Sequence, residues 1–295
     1  MHRRDFLAAT SGLALAAASP AAAAAGRLPI KKAVLLSMLP AKLTMKDRFQ
    51  LAKDCGFVAI EVGTAKDMDA ANEIRRASEQ TAVPVHSVMN MSHWQYPLSS
   101  PDASVVQKSV EGMETSLQQA ALWGAECVLL VPAVVNAQTS YADAYKRSQV
   151  EIRKLIPTAE KLKVIIAVEE VWNKFLLSPL EFANYIDSFQ SPWVRAYFDV
   201  GNVVLYGFPQ DWIRTLGHRI LRLHLKDFTF RRDATLKKPV ADWVNLRDGD
   251  IEWKAIYAAL ADIGYKGYAT VELSGGEEAY LKDVSHRFEM ILNGE

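Results

Sequence analysis

The chain has 295 residues, half of them hydrophobic and 23% charged, which is the composition of a globular enzyme and excludes a disordered or fibrous chain. Its 34 Lys and Arg balance 34 Asp and Glu, which removes the electrostatic case for nucleic acid or an anionic membrane as partner. Two cysteines, Cys55 and Cys127, are too few for a disulfide framework; each lies beside an apolar run and is expected as a buried free thiol.

Residues 1–25 read as a leader outside the fold. Met1-His2-Arg3-Arg4-Asp5-Phe6-Leu7 is a twin-arginine start, followed by the Ala-rich stretch Ala8 to Ala18 and small-residue cleavage sites at Ala21 to Ala25. The apolar run is short and weakly hydrophobic for a membrane anchor. The expectation is a signal handled by the twin-arginine export machinery. The mature domain, residues 26–295, is then periplasmic or otherwise exported, with no stable membrane insertion.

From there strand and helix patterns alternate. Ala33 to Met38 is the first strand, with a helix from an N-cap at Thr44 to Asp54, stopped by Gly56. Phe57 to Val62 and a helix from Asp69 to Gln80 follow, then Val83 to Val88 and a long helix from Asp102 to Trp123, ended by Gly124. Cys127 to Val131 precedes a helix from Tyr141 to Lys161, and Val164 to Val168 precedes one that opens at Ser178-Pro179. Val194 to Asp199, a short helix at Asp211 to Leu216, Ile220 to His224, a helix at Trp253 to Ile263, Tyr268 to Glu272 and a last helix at Glu277 to Leu292 complete the chain. Eight such units argue for a single α/β domain, a closed parallel (β/α)8 TIM barrel. An open doubly wound sheet is the rival, but no Gly-x-Gly-x-x-Gly follows any strand. Two connections, Met89 to Ser100 and Phe228 to Asp250, are longer than barrel turns require and follow strands, so they belong to the catalytic face.

The chemistry sits at strand ends. Val164-Ile165-Ile166-Ala167-Val168 runs into Glu169 and Glu170; later strands end in Asp199, His224 and Glu272. Any one of these is weak evidence, but strands five to eight are neighbours in a barrel and bring the four ends to one side of one mouth. Three carboxylates there demand a cation. Three carboxylates and an imidazole suit one divalent metal ion, Mn2+ before Mg2+, Co2+ or Zn2+. Strand alternation admits only one of Glu169 and Glu170 to the mouth, and alternation by itself leaves open which.

These motifs, Glu169-Glu170-Val171-Trp172-Asn173-Lys174-Phe175, Phe198-Asp199-Val200-Gly201-Asn202, His224-Leu225-Lys226-Asp227 and Val271-Glu272-Leu273, resemble those of the sugar isomerase/epimerase family of xylose isomerase-like barrels. The resemblance spans nearly the whole mature chain. It implies metal ligands at Glu169, Asp199, His224 and Glu272, and an isomerase or epimerase reaction through an enediolate, in which Glu169 and Glu272 remove and return a proton on opposite faces of the substrate. The substrate would be a carbohydrate, a free sugar or keto-sugar. Asn202 stands where several ketose epimerases carry a substrate-binding His, a departure that bears on the substrate and not on the metal.

Glu61, His86, Trp172, Asn173, Asn202 and Lys226 are further candidates for binding hydroxyl groups, with a plain Lys226–Asp227 ion pair as the rival for the last. Trp94, with His93 and Tyr96, offers aromatic surface to a sugar face. Arg231, Arg232, Lys237 and Lys238 read as a solvated basic loop. Two other readings stay open: a lyase eliminating the aglycone of a 3-keto-glycoside at the same metal, and a non-catalytic sugar-binding barrel. A DNA-repair endonuclease is disfavoured by the zero net charge and by only two His, His86 and His224, at strand ends.

Overall fold

The computed structural model describes residues 26–232 and 239–295; the expected leader lies outside the described residues. In chain order the strands are β1 (Lys31–Leu35), β2 (Ala59–Gly63), β3 (Val85–Met89), β4 (Cys127–Leu130), β5 (Ile165–Glu169), β6 (Val194–Asp199), β7 (Ile220–Leu225), a hairpin of β8 (Asp227–Arg232) and β9 (Pro239–Val244), and β10 (Tyr268–Val271). Strands β1 to β7 and β10 form a closed parallel barrel, with β10 pairing β7 on one side and β1 on the other. This is the single (β/α)8 barrel that the sequence predicts.

The helices are α1 (Met45–Asp54), α2 (Met68–Thr81), α3 (Ala103–Trp123), α4 (Tyr141–Leu162), α5 (Pro179–Asp187), α6 (Pro209–Leu216), α7 (Trp253–Asp262) and α8 (Glu278–Leu292). Short polar side chains start several of them by satisfying a free amide of the first turn: Thr44 accepts from Asp47 N, Ser140 from Asp143 N, and Ser178 from Glu181 N, with Pro179 at the first helical position. Gly124 ends α3 with φ near +70°, a conformation that costs a residue with Cβ but not glycine. None of the described helices is long and apolar enough to cross a membrane.

Strand alternation sorts the core into two layers. On β4 and β5, Val128, Leu130, Ile166 and Val168 face the helices and join the main apolar core, while Cys127, Leu129 and Ala167 face the barrel axis with Val171 and Tyr197. Cys55 and Cys127 are both buried free thiols, as expected, and burial pushes the Cys127 thiol up to about 11.

Two local departures from the sequence expectation matter. β1 stops at Leu35, and Leu36–Met38 turn into a short 3-10 helix whose last carbonyl accepts from Gly276 N at 3.1 Å. The long connection after β7 is not a plain loop: β8 and β9 form an antiparallel ribbon from Asp227↔Val244 to Arg232↔Pro239, standing on the mouth of the barrel. Of the expected basic loop, Arg231 and Arg232 belong to β8, and Lys237 and Lys238 lie outside the described residues.

Candidate metal centre

The four strand-end residues meet. Glu169 on β5, Asp199 on β6, His224 on β7 and Glu272, one residue past β10, each present a ligand atom, and these atoms lie within 4.8 Å of one another. The register explains it: Asp199 pairs His224 across β6 and β7, and Glu272 N donates to Leu225 O at 3.1 Å, which sets the fourth residue at the same height. Glu169 and Val171 face the mouth, and Glu170 between them turns outward. The Glu170 Oε1 accepts from Asp199 N at 3.3 Å, and its Oε2 is buried without a partner.

His224 Nδ1 is 2.9 Å from Glu169 Oε1 and 3.1 Å from Glu272 Oε2, while Nε2 is 3.1 Å from Glu61 Oε2. Lys226, also turned inward, sits 2.8 Å from Asp199 Oδ2 and 2.9 Å from Glu272 Oε2. It is not paired with Asp227, the rival reading for it, because alternation sends Asp227 to the opposite side. There the Asp227 carboxylate accepts from Phe228 N and Arg247 N, each at 2.8 Å, from Gly249 N at 3.2 Å and from Trp253 Nε1 at 2.9 Å, and so pins the end of the hairpin connection.

The electrostatics follow from this arrangement. Burial, with Glu272 and Asp199 nearby, pushes Glu169 up to about 7 against the pull of His224. Burial also raises Glu272, but His224 and Lys226 outweigh it and hold that carboxylate well below its usual range. Burial lowers His224, and the carboxylates of Glu61, Glu272 and Glu169 overcome it and raise the imidazole well above its usual value. Burial and the neighbouring Asp199 and Glu169 raise Glu170 well above the carboxylate range.

A cavity of about 190 Å3 opens above the cluster. Glu169, Glu272, Lys226, Asn202 and His93 line it together with Trp94, Trp172, Trp243, Met89, Leu129 and Val171. Two larger clefts, of about 530 Å3 between α3 and α4 and about 470 Å3 at the other end of the barrel around Arg222, contain none of the four clustered donors.

Of the predicted sugar contacts, Trp94, Trp172, Asn202 and Lys226 line this cavity, and Glu61, His86 and Asn173 do not. Glu61 lies beneath the cluster, holding His224 and accepting from the Tyr197 hydroxyl. His86 is a layer deeper, with Nε2 2.9 Å from Thr270 Oγ1 and its ring stacked 4.6 Å from Tyr268. Asn173 is spent on the turn after β5, where it donates to Ala133 O and accepts from Phe175 N at 3.1 Å. One contributor, Trp243, went unassigned in the sequence, and another, His93, was read there only as aromatic surface beside Trp94. Trp243 arrives on β9 and stacks on Trp172 at 4.9 Å. His93 accepts from Val131 N through Nδ1, and burial lowers it to about 4, so the neutral ring keeps Nε2–H as a donor. The alternation Phe228-Thr229-Phe230 was the available signal for the hairpin that carries Trp243.

Together, a closed barrel with three carboxylates and an imidazole at its mouth, beneath a polar and aromatic cavity, define the class. The profile of the xylose isomerase-like TIM barrel family matches residues 49–289, and the chain belongs to that family. SgbU of Haemophilus influenzae, assigned as an L-ribulose-5-phosphate 3-epimerase, is 26% identical over 262 residues, 84% of this chain and 91% of its own. UlaE of Escherichia coli K12, an L-ribulose-5-phosphate 3-epimerase, is 24% identical over 247 residues, 80% of this chain and 84% of its own. Among solved structures, the 3-keto-D-glucoside 4-epimerase YcjR of E. coli superposes with a TM-score of 0.73 at 14% identity, covering 89% of this chain and 98% of that one. The D-psicose 3-epimerase of Clostridium cellulolyticum H10 gives 0.69 at 16% identity, with 89% and 97% covered, and shares the fold.

Proposed function

We propose that this chain is a divalent-metal-dependent epimerase of a free sugar or keto-sugar, acting outside the cytoplasm by virtue of its leader. Epimerisation of sugars, an isomerase reaction, is the activity its relatives have in common. The observation that carries the reading is the meeting of Glu169, Asp199, His224 and Glu272 within 4.8 Å at the floor of the cavity.

The donor set fits a metal. Asp199 Oδ2 is buried and receives no well-formed hydrogen bond, with the Lys226 ammonium at 2.8 Å and His224 Nδ1 at 3.8 Å. Three hard carboxylates and one imidazole match Mn2+ first, and Mg2+, Co2+ or Zn2+ by the same donors. Such an ion, when bound, supplies Lewis-acid polarisation of a substrate carbonyl and so acidifies the adjacent C–H.

The chain's own residues do the rest. Glu169 and Glu272 reach the substrate space from strands on either side of β6 and β7, so one carboxylate removes the proton from the carbon beside the carbonyl and the other returns one to the opposite face. His224 is held by Glu61, which is itself fixed by Tyr197, so the floor of the site does not shift as charge moves above it. His93 and Lys226 supply donors to sugar oxygens. Lys226 is the only cationic side chain among the described residues lining the cavity, and two carboxylates already occupy it, which favours an unphosphorylated substrate.

The test is product analysis. Protein stripped of metal and reloaded with Mn2+, Mg2+, Co2+ or Zn2+ is incubated with ketoses, aldoses and 3-keto-glycosides and followed by NMR. Epimer formation that depends on added metal is the expected result. Release of the aglycone instead of an epimer would make the enzyme a lyase, and no change in any sugar with any metal would favour a binding protein.

A further inference from the structure

The lining of the cavity changes character from bottom to top. Its polar members are buried or half-buried: His93 at 2%, Glu169 and Asn202 at 4%, and the side chains of Lys226 and Glu272 at 13% and 27%. Its tryptophans are exposed: Trp172 at 40%, Trp243 at 44% and Trp94 at 58%. The inner volume of about 190 Å3 is well short of the ~300–1,000 Å3 that encloses a drug-sized ligand, and it matches one sugar ring. Whatever is attached to that ring leaves through the tryptophan rim.

The rim is built and not incidental. Trp172 stacks on Trp243 at 4.9 Å with planes 21° apart, and its Nε1 donates to Asn202 O at 2.8 Å, which fixes the ring orientation. Phe228 packs edge-on against both indoles, at 5.2 and 4.8 Å, and Phe230 continues the aromatic surface outward, 46% exposed. Three exposed tryptophans at the edge of one cavity are costly to leave in water, and such a patch marks a binding surface. The indole nitrogen of Trp172 is already used and Lys226 Nζ lies 5.0 Å over the Trp243 ring, so the free aromatic surface falls on Trp94 and the outer edges of the stacked pair, with at most two indole N–H donors beside it.

From this, and resting on the sugar-epimerase reading of the floor, we infer that the substrate is a keto-glycoside, its sugar ring carrying the carbonyl and its anomeric carbon a planar, apolar aglycone, which packs on the Trp94, Trp172 and Trp243 rim while the keto-sugar ring occupies the inner cavity. A second sugar ring fits less well, because its hydroxyl groups would find too few partners at that rim. Free monosaccharides would leave the rim unused.

The test uses the metal-loaded full chain. Calorimetric titrations with phenyl β-D-glucopyranoside, methyl β-D-glucopyranoside and the disaccharide cellobiose are run on the parent, Trp94→Ala and Trp243→Leu proteins. Deuterium uptake from D2O is measured in parallel with the matching phenyl and methyl 3-keto-glucosides. The phenyl glucoside binds the parent roughly tenfold tighter than the methyl glucoside, and the preference falls to roughly threefold or less in each variant. Melting curves confirm that the variants fold, and Trp94→Phe restores part of the preference. Equal binding of phenyl and methyl glucosides, no binding of either, tighter binding of cellobiose than of the phenyl glucoside, or a preference untouched in both variants overturns the subsite. A phenyl preference without any deuterium uptake upholds the subsite and overturns the epimerase reading beneath it.

Discussion

Replacing Lys226 with Met removes the one ammonium that bridges Asp199 Oδ2 at 2.8 Å and Glu272 Oε2 at 2.9 Å, and keeps the unbranched stem at one atom shorter. The Asp199 side chain is fully buried, Lys226 is 13% exposed and Glu272 27%, so solvent screens the first pair little and the second more. Removing one partner of a buried ion pair costs ~3–5 kcal/mol, and the partial exposure of Glu272 sets the expectation at about 3 kcal/mol. At ~2–4 °C per kcal/mol for a domain of this size, chelator-treated Lys226→Met melts about 6 °C or more below the chelated parent.

The pH dependence of that gap comes from the carboxylates. Lys226 is raised, burial notwithstanding, by Asp199 and Glu272, so its contribution is present below its unfolded value and is lost only as pH rises through a still higher one. Glu272 is depressed, so its contribution is present above its ordinary 4.5 and is lost as pH falls below it. The gap therefore holds up to about pH 9 and narrows as the solution becomes more acid, first through Asp199, whose carboxyl burial raises. Saturating Mn2+ narrows it too, since the same carboxylates then have another cation. Calorimetric melts of parent and variant, with chelator and with Mn2+, read all of this. Equal melting temperatures for the chelated proteins at pH 7 would refute the reasoning.

Glu170→Gln keeps the acceptor for Asp199 N and removes a buried acid whose raised value makes it stabilising only below about 4.5 and progressively costly above; the variant equals the parent near pH 4 and gains at most ~1.4 kcal/mol per pH unit above that. Urea unfolding across pH 4 to 8 checks it. Asn173→Ala leaves Ala133 O and Phe175 N without their partner and destabilises the protein by about 2–3 kcal/mol, measured the same way. Gly249→Ala forces a Cβ to 2.1 Å from Asp227 Oδ1 and 2.5 Å from Phe228 O, so it displaces the Asp227 anchor and lowers the melting temperature by several degrees, with a loss of order 1–3 kcal/mol.

The barrel was legible because its signals are local. Buried parallel strands read as short apolar runs, and caps such as Thr44 and Ser178-Pro179 place helix starts within a residue or two. Alternation is local as well: it gives the face on which Glu169, His224 and Lys226 lie, and sends Glu170 and Asp227 the other way. Depth is not local. Whether an inward residue reaches the cavity or stops beneath it depends on register, and the pairing of β2 with β3 shifts between Ile60 and Glu61. Glu61 and His86, both inward and near strand ends, therefore read as sugar contacts in the sequence and lie below the floor in the fold. The hairpin escaped for another reason. β8, Asp227-Phe228-Thr229-Phe230-Arg231-Arg232, is mostly polar or charged, and β9 opens on Pro239 and lacks regular alternation, so Trp243, which lines the cavity, had only the alternation of Phe228 and Phe230 to announce the element that carries it.

The most direct measurement is hydrogen exchange at carbon. Metal-loaded protein is incubated in D2O with a 3-keto-glucoside and, separately, with a ketose, and the C–H positions beside each carbonyl are followed by NMR for the parent and for Glu272→Gln. Solvent deuterium entering one such position, dependent on metal and slowed at least ~100-fold by Glu272→Gln, is what a carboxylate base at this site predicts. Exchange at an undiminished rate in Glu272→Gln, or no exchange by a protein that binds both metal and sugar, would contradict it.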